Sequence, residues 1–219
     1  MGLRLAEGSA CRSRNSVRRF FPAILLMALL AAGCHQEPPV DTSPLDSAGM
    51  SYDTIQQLKA SKITAPEISE LAKARGAGLP DSSCLDLLRV YRSRSQPFNA
   101  GDNVAGLLQA GVAPATVVEL ARLNQLGLQA GEFQAMRLAD LPDDILLEVA
   151  RRRAEGKTVL SGASLAGMKN AGLRDATLLE LARRGISDSQ TNNIVALRRR
   201  GMKDAEILRH FSGPSSGGY

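Results

Sequence analysis

The chain has 219 residues, a formal net charge of +5, three cysteines and no tryptophan. Aromatic residues make up only 4% of it, which predicts a core of aliphatic side chains. The excess positive charge lies almost entirely in the first 33 residues, because residues 34–219 contain 22 basic and 21 acidic side chains. The overall basicity therefore does not indicate a nucleic-acid-binding protein.

The N-terminal segment has the organisation of an export signal. Residues 1–19 contain five arginines and one glutamate, and the stretch from Phe20 to Ala32 is apolar apart from Pro22. A transmembrane helix needs about 20 apolar residues, so this stretch is too short to span a bilayer. A basic flank, a short apolar core and small residues after it predict a signal peptide at residues 1–33.

The end of this segment, Leu30-Ala31-Ala32-Gly33-Cys34, resembles the lipobox of bacterial lipoproteins. The resemblance implies that Cys34 is acylated with palmitate-type chains, becomes the mature N-terminus and anchors the protein to a membrane. His35 follows the cysteine where an aspartate would favour retention in the inner membrane, so the resemblance implies the outer membrane, facing the periplasm. Two or more acyl chains give stable anchoring.

Residues 34–51 are rich in proline, serine and glycine and predict a flexible tether between the lipid and a folded domain. Residues 212–219 predict a flexible tail. The folded domain is expected at residues 52–211. Within it Cys84 is the only cysteine, and its place on an apolar helix face favours a buried hydrophobe over the alternative of a reactive thiol.

A repeat runs through this domain. Its anchors are the apolar residues Ile63, Leu79, Val112, Leu141, Leu173 and Met202. A glycine directly precedes four of the anchors, and aspartate or proline follows two residues after five of them. Aliphatic side chains recur five, six, eight and nine residues after the anchor, with an acid at seven and a base at ten in five of the six units.

Each repeated position has a structural reason. Glycine ends a helix because it adopts a left-handed conformation at low cost, and aspartate or proline is favourable in the first turn of the next helix. The aliphatic positions form one stripe of a 3.6-residue helix, and the acid and base face solvent. Partner helices are predicted before the anchors at residues 53–60, 102–110, 129–137, 161–171 and 187–200. The Leu79 unit departs from this order, since its anchor follows the Ile63 helix directly.

The pattern predicts an all-α protein of stacked short helical hairpins. A single hairpin buries too little apolar surface to offset the conformational entropy of ordering it, so the hairpins must share a core. Both a solenoid-like stack and a compact orthogonal helical bundle satisfy the pattern. No segment alternates with a period of two, and we expect no sheet.

The sequence contains no catalytic constellation, and we do not expect an enzyme. Of the two histidines in residues 34–219, His35 adjoins the anchor and His210 falls at a core position of the last unit. No cysteine or histidine cluster has metal-ligand spacing, so no metal and no cofactor is expected. The acids Glu119, Glu148 and Glu180 could align along one surface, but the base three residues after each favours a solvated helix face.

Two functions remain, both without catalysis. The first is a protein-interaction scaffold for an envelope protein, because stacked helical repeats present extended surfaces. The second is the binding of a polyanion, such as lipopolysaccharide, lipid headgroups or DNA, by the C-terminal half, where residues 151–219 hold 13 basic and 6 acidic side chains. The candidate residues are two triplets, Arg151, Arg152, Arg153 and Arg198, Arg199, Arg200. The alternative for both is a favourable interaction with the negative end of a helix dipole.

Nucleic acid is the least expected of these polyanions. The segment Gly172-Leu173-Arg174 resembles the turn of helix-hairpin-helix DNA-binding modules. That family requires a second glycine two residues after the first, so that backbone amides can approach a phosphate. Arg174 stands there in this chain, and the other units also lack the second glycine.

Overall fold

A computed structural model describes residues 40–211; residues 1–39, with Cys34, and residues 212–219 lie outside the described part. The described residues form twelve α-helices and one short 3₁₀ turn, with no β-strand among them. The helices are α1 Ser43–Ser47, α2 Tyr52–Ala60, α3 Ala65–Gly76, α4 Asp81–Ser93, α5 Gly101–Gln109, α6 Pro114–Arg122, α7 Ala130–Leu138, α8 Asp143–Ala154, α9 Gly162–Asn170, α10 Asp175–Arg183, α11 Thr191–Arg199 and α12 Asp204–His210. The predicted all-α hairpin architecture is confirmed.

The helices pair into six hairpins, α1 with α2 through α11 with α12, and the hairpins stack in chain order. Odd-numbered helices form one layer, in which each packs on the next odd-numbered helix, and even-numbered helices form the other layer. The main contacts thus join only consecutive hairpins. The sequence allowed either a solenoid-like stack or a compact orthogonal bundle, and this arrangement is the solenoid-like stack.

The loop inside each hairpin is built in the same way. The odd-numbered helix ends at a residue with positive φ, and the anchor that follows donates its N–H back into the last helical turn, as Val112 does to the Leu107 carbonyl at 3.0 Å. In these six loops, the residues with positive φ are Gly49, Gly78, Gly111, Asp140, Gly172 and Gly201. Five of the six loops therefore contain the glycine that a left-handed backbone favours.

The first hairpin was assigned incorrectly from sequence. Residues 43–47, placed in the tether, form α1, and Leu45 and Met50 are buried. Met50 is the true first anchor, since Gly49 precedes it, whereas Ile63 lies between two hairpins. The folded domain therefore includes residues 43–51, which the sequence interpretation had assigned to the tether. The sequence pattern did not predict this helix, because the helix is short, contains a single large apolar side chain and is stabilised by packing on α3.

With Met50 as the first anchor, a larger repeat emerges. Successive anchors lie 29, 33, 29, 32 and 29 residues apart, so equivalent hairpins recur every 61 or 62 residues. The stack consists of three modules of four helices each. Module 1 is residues 43–93, module 2 is residues 101–154 and module 3 is residues 162–210.

The C-terminal end of the stack is polar. Within α12, Ala205, Glu206 and Arg209 are exposed, and so is His210, whose ring contacts Phe211 edge-to-face. The expectation of a core position for His210 was wrong, because no further hairpin packs on α12 among the described residues. Terminal repeats with a polar outer face limit the growth of a solenoid.

Candidate functional site

One kind of joint connects the two hairpins inside each module. In module 3, Asp204 at the start of α12 accepts hydrogen bonds from the Arg174 N–H at 3.2 Å and the Thr177 hydroxyl at 2.7 Å. Arg198 donates to the Gly172 carbonyl at 2.9 Å and lies 3.3 Å from Asp204. An aspartate and an arginine of the second hairpin thus hold the loop of the first. We call this the Arg–Asp joint.

The same joint recurs in the other two modules. In module 2, Asp143 accepts from the Ala113 N–H and the Thr116 hydroxyl, and Arg137 donates to the Gly111 carbonyl at 3.0 Å. In module 1, Asp81 accepts from the Ser51 N–H at 2.9 Å, and Arg75 donates to the Gly49 carbonyl at 2.8 Å. Aspartate in the first turn was predicted to start its own helix. It also caps the N-terminus of a helix about 30 residues earlier.

In the Arg–Asp joints of modules 1 and 3, the surroundings of the aspartate favour its ionised form. Burial by itself raises the pKa of Asp204, but the hydrogen bonds from Thr177 and the Arg174 N–H, with Arg198 nearby, outweigh it and lower the pKa below 3.8. Asp81 shows the same balance, with burial opposed by Ser51 and Arg75, and its pKa is also lowered. The joints of modules 1 and 3 therefore stabilise the fold while Asp81 and Asp204 are charged.

A second kind of joint connects consecutive modules. Glu70 of α3 accepts from the N–H of Gly101, the first residue of α5, at 2.7 Å. Glu132 of α7 accepts from the N–H of Gly162, the first residue of α9, at 2.8 Å. The sequence placed Glu70 on the solvated face, but its side chain is only 19% exposed. Joints of the two kinds, Arg–Asp and Glu–Gly, alternate along the stack.

Three of the six candidate anion-binding arginines make contacts that connect elements of the fold. Arg198 belongs to an Arg–Asp joint, and Arg152 donates to the carbonyls of Thr158 and Arg183. Arg153 pairs with Glu132 at 2.8 Å and lies over the Phe133 ring. Arg152 and Arg198 thus contact helix C-termini, as the dipole alternative requires, but these are the C-termini of neighbouring helices.

The other three candidates, Arg151, Arg199 and Arg200, are exposed and form no ion pair within residues 40–211. The structure does not bring the two triplets together. Arg198–Arg200 lie at the hairpin loops, beside Gly172 and Asp204, whereas Arg152 contacts the connection that follows α8 and the end of α10. The six arginines therefore do not form one site.

A groove lies where module 1 meets module 2. Its volume is about 540 Å³, and it is lined by Tyr91, Asn103, Leu126, Leu128 and four small or polar residues. Asn103 donates to the Leu126 carbonyl at 2.7 Å and holds the connection between α6 and α7. That connection presents Leu128 with 99% of its surface exposed. Leu128 therefore projects into solvent beside the groove.

No protein-family model, curated protein or solved structure matches this chain.

Cys84 is fully buried, and burial raises the pKa of its thiol to about 12, so it behaves as a hydrophobe and the reactive-thiol alternative is wrong. Among residues 40–211, no helix is both long and apolar enough to cross a bilayer. The same residues contain no group of three or more histidine, cysteine or acidic side chains placed to bind a metal ion. Cys34 lies outside the described residues.

The repeat contains one signal of the Arg–Asp joints that the sequence interpretation missed. Thr54, Thr116 and Thr177 each lie four residues after an anchor, once Met50 is taken as the first. All three are buried, which is unusual for threonine and points to a polar partner. The groove at Leu128 had no such signal, because a single leucine beside a glycine is common in connections.

Proposed function

We propose that this protein is a lipid-anchored, non-enzymatic scaffold of the bacterial envelope that binds a partner protein through the surface of its hairpin stack. The observation that carries the proposal is the fully exposed Leu128 beside the groove of Tyr91, Asn103 and Leu126. Protein interfaces typically combine apolar anchors with polar groups around them; here Leu128 is the exposed apolar side chain and Asn103 is a polar neighbour in the groove.

The contacts that stabilise the hairpin stack support the proposed scaffold role. The repeated polar residues form the joints between hairpins, so the chemistry of the repeat serves stacking. Arg152, Arg153 and Arg198 are engaged in the same way, which leaves fewer free cations for a polyanion than the sequence suggested. A solenoid fixed by such joints is a rigid platform, and its connections and outer faces are free to vary.

The binding surface is tested by introducing a photocrosslinking amino acid at position 128 in cells. We expect one discrete crosslinked protein species, because Leu128 lies at the centre of the proposed contact. The matched control is the same amino acid at Leu138, which is also exposed but lies at the end of α7. Leu128→Asp should abolish recovery of that species without changing the melting temperature, since Leu128 packs against nothing. Equal crosslinking at both positions, or none at 128, would contradict the proposed surface.

Anchorage by Cys34 is a separate prediction. Replacing Cys34 with serine removes the sulfur that carries the first acyl chains, and we expect the protein to shift from the membrane fraction to the soluble fraction. Metabolic labelling with an alkyne fatty acid should mark the wild type and not Cys34→Ser. Cys84→Ser, which keeps Cys34, is the control and should still be labelled. Labelling that persists in Cys34→Ser would exclude this anchor.

A further inference from the structure

Comparison of equivalent loops in the three modules isolates a group of basic residues in module 3 whose equivalents in modules 1 and 2 are uncharged. Four loop positions carry uncharged residues in the first two modules and basic residues in the third. They are Ser51, Gly76, Ala77 and Pro80 in module 1, Ala113, Leu138, Ala139 and Pro142 in module 2, and Arg174, Arg199, Arg200 and Lys203 in module 3. The same joints form in all three modules, so these four charges are additions to a common scaffold.

The four residues lie close together and remain accessible. Arg174 and Lys203 are joined through Asp204, which pairs with the Arg174 guanidinium at 3.1 Å and directly follows Lys203. The side chain of Arg174 is nevertheless 79% exposed. Arg199, Arg200 and Lys203 are exposed, lie within five residues of one another around Gly201, and form no ion pair within residues 40–211. We call these four residues the loop cluster.

The surroundings of the loop cluster fit a surface of phosphates better than a protein. The large apolar side chains that are exposed among the described residues are Val40, Tyr52, Leu128 and Leu138, and none of them belongs to module 3. Protein interfaces depend on apolar or aromatic anchors, which the loop cluster therefore lacks. Flexible arginines and lysines that project from two adjacent loops can each pair with a separate phosphate.

From this geometry we infer that the loop cluster binds the phosphate-bearing headgroups of an anionic lipid surface. The contact would hold module 3, the C-terminal part of the stack, against the membrane. The inference does not depend on protein binding at Leu128, and its test does not depend on acylation.

The test uses residues 34–219 with Cys34→Ser, so that no acyl chain contributes; the hydrophobic core lies wholly within this segment. Binding is measured by co-sedimentation with vesicles that contain phosphatidylglycerol and with vesicles of phosphatidylcholine alone. We expect binding to the first only, weakening steeply as salt rises. The triple variant Arg199→Gln, Arg200→Gln, Lys203→Gln should bind about 100-fold more weakly, because each basic residue near an anionic surface contributes roughly five-fold.

A matched triple variant distinguishes a local site from overall charge. Arg89→Gln, Arg122→Gln, Arg151→Gln removes the same charge from exposed positions of α4, α6 and α8, and it should bind almost as well as the parent. Equal loss in both triples, or no binding to anionic vesicles, would overturn the inference. Binding of duplex DNA or of an acidic peptide through the loop cluster, without vesicle binding, would also overturn it. Unchanged melting temperatures of both triples show that folding is intact.

Discussion

Gly101→Ala is expected to destabilise the protein by about 3 kcal/mol, the upper part of the range for overpacking. A Cβ atom at this position would lie 2.3 Å from the Glu70 carbonyl oxygen and 2.9 Å from its carbonyl carbon. Both are backbone atoms of α3, so no side chain can rotate away. The new methyl group must push α5 from α3 and lengthen the hydrogen bond that Gly101 donates to Glu70. Chemical denaturation followed by circular dichroism measures the change.

Two other glycines serve as controls for this prediction. At Gly162, the equivalent position one module later, a Cβ would meet the flexible Met136 side chain at 2.5 Å, so Gly162→Ala should cost less. At Gly167, inside α9, nothing lies within 4 Å, and Gly167→Ala should stabilise the protein by about 0.5–1 kcal/mol through helix propensity. A neutral Gly101→Ala would show that α3 and α5 do not approach as closely as described.

Asp204→Ala is expected to lower the free energy of unfolding by about 2–3 kcal/mol, because it leaves the Thr177 hydroxyl and the Arg174 N–H without their acceptor. It also leaves Arg198 without its carboxylate partner. The residue is only 5% exposed, so water replaces these contacts poorly. Asp175→Ala is the matched control, since Asp175 also begins a helix but its side chain is 47% exposed. That variant should lose less than about 1 kcal/mol.

The effect of Asp204→Ala should depend on pH in a defined direction. The pKa of Asp204 is lower in the folded protein than its ordinary value of 3.8, because the joint favours the charged form. Its contribution is therefore complete above about pH 4 and is lost as the pH falls through the folded-state pKa. The difference in free energy of unfolding between wild type and Asp204→Ala should shrink across this acid range. A constant difference from pH 7 to pH 2 would show that the charge of Asp204 does not contribute.

Local features of the chain predicted the hairpins correctly because the signals for helix ends lie within a few residues. Gly111 and Gly172 mark helix ends through their own backbone freedom, and Asp143 marks a start through its own first turn. The one incorrectly assigned hairpin lacked such a signal in its helix, since α1 has only five residues and depends on α3. Its loop, Gly49 followed by Met50, matched the other loops but stood in a proline-rich context.

The candidate site could be predicted only in part. The arginine triplets were visible as clusters in the sequence. Only the tertiary structure distinguishes Arg198, which donates to the Gly172 carbonyl, from Arg199 and Arg200, which are exposed. The partners of Arg152 and Arg198 are backbone carbonyls, which every residue carries, so no side-chain pattern identifies them. The exposure of Leu128 likewise depends on how Asn103 holds its connection.

The sequence by itself determined that this protein is helical, that its helices form hairpins and that its core is aliphatic. These properties follow from glycine conformations, first-turn residues and a 3.6-residue stripe, all of which act over one or two turns. Only the tertiary structure decided the stacking order, the three-module repeat and the alternation of Arg–Asp and Glu–Gly joints. These features depend on contacts between groups about 30 residues apart, such as Glu70 with the Gly101 N–H, that form once neighbouring hairpins have packed.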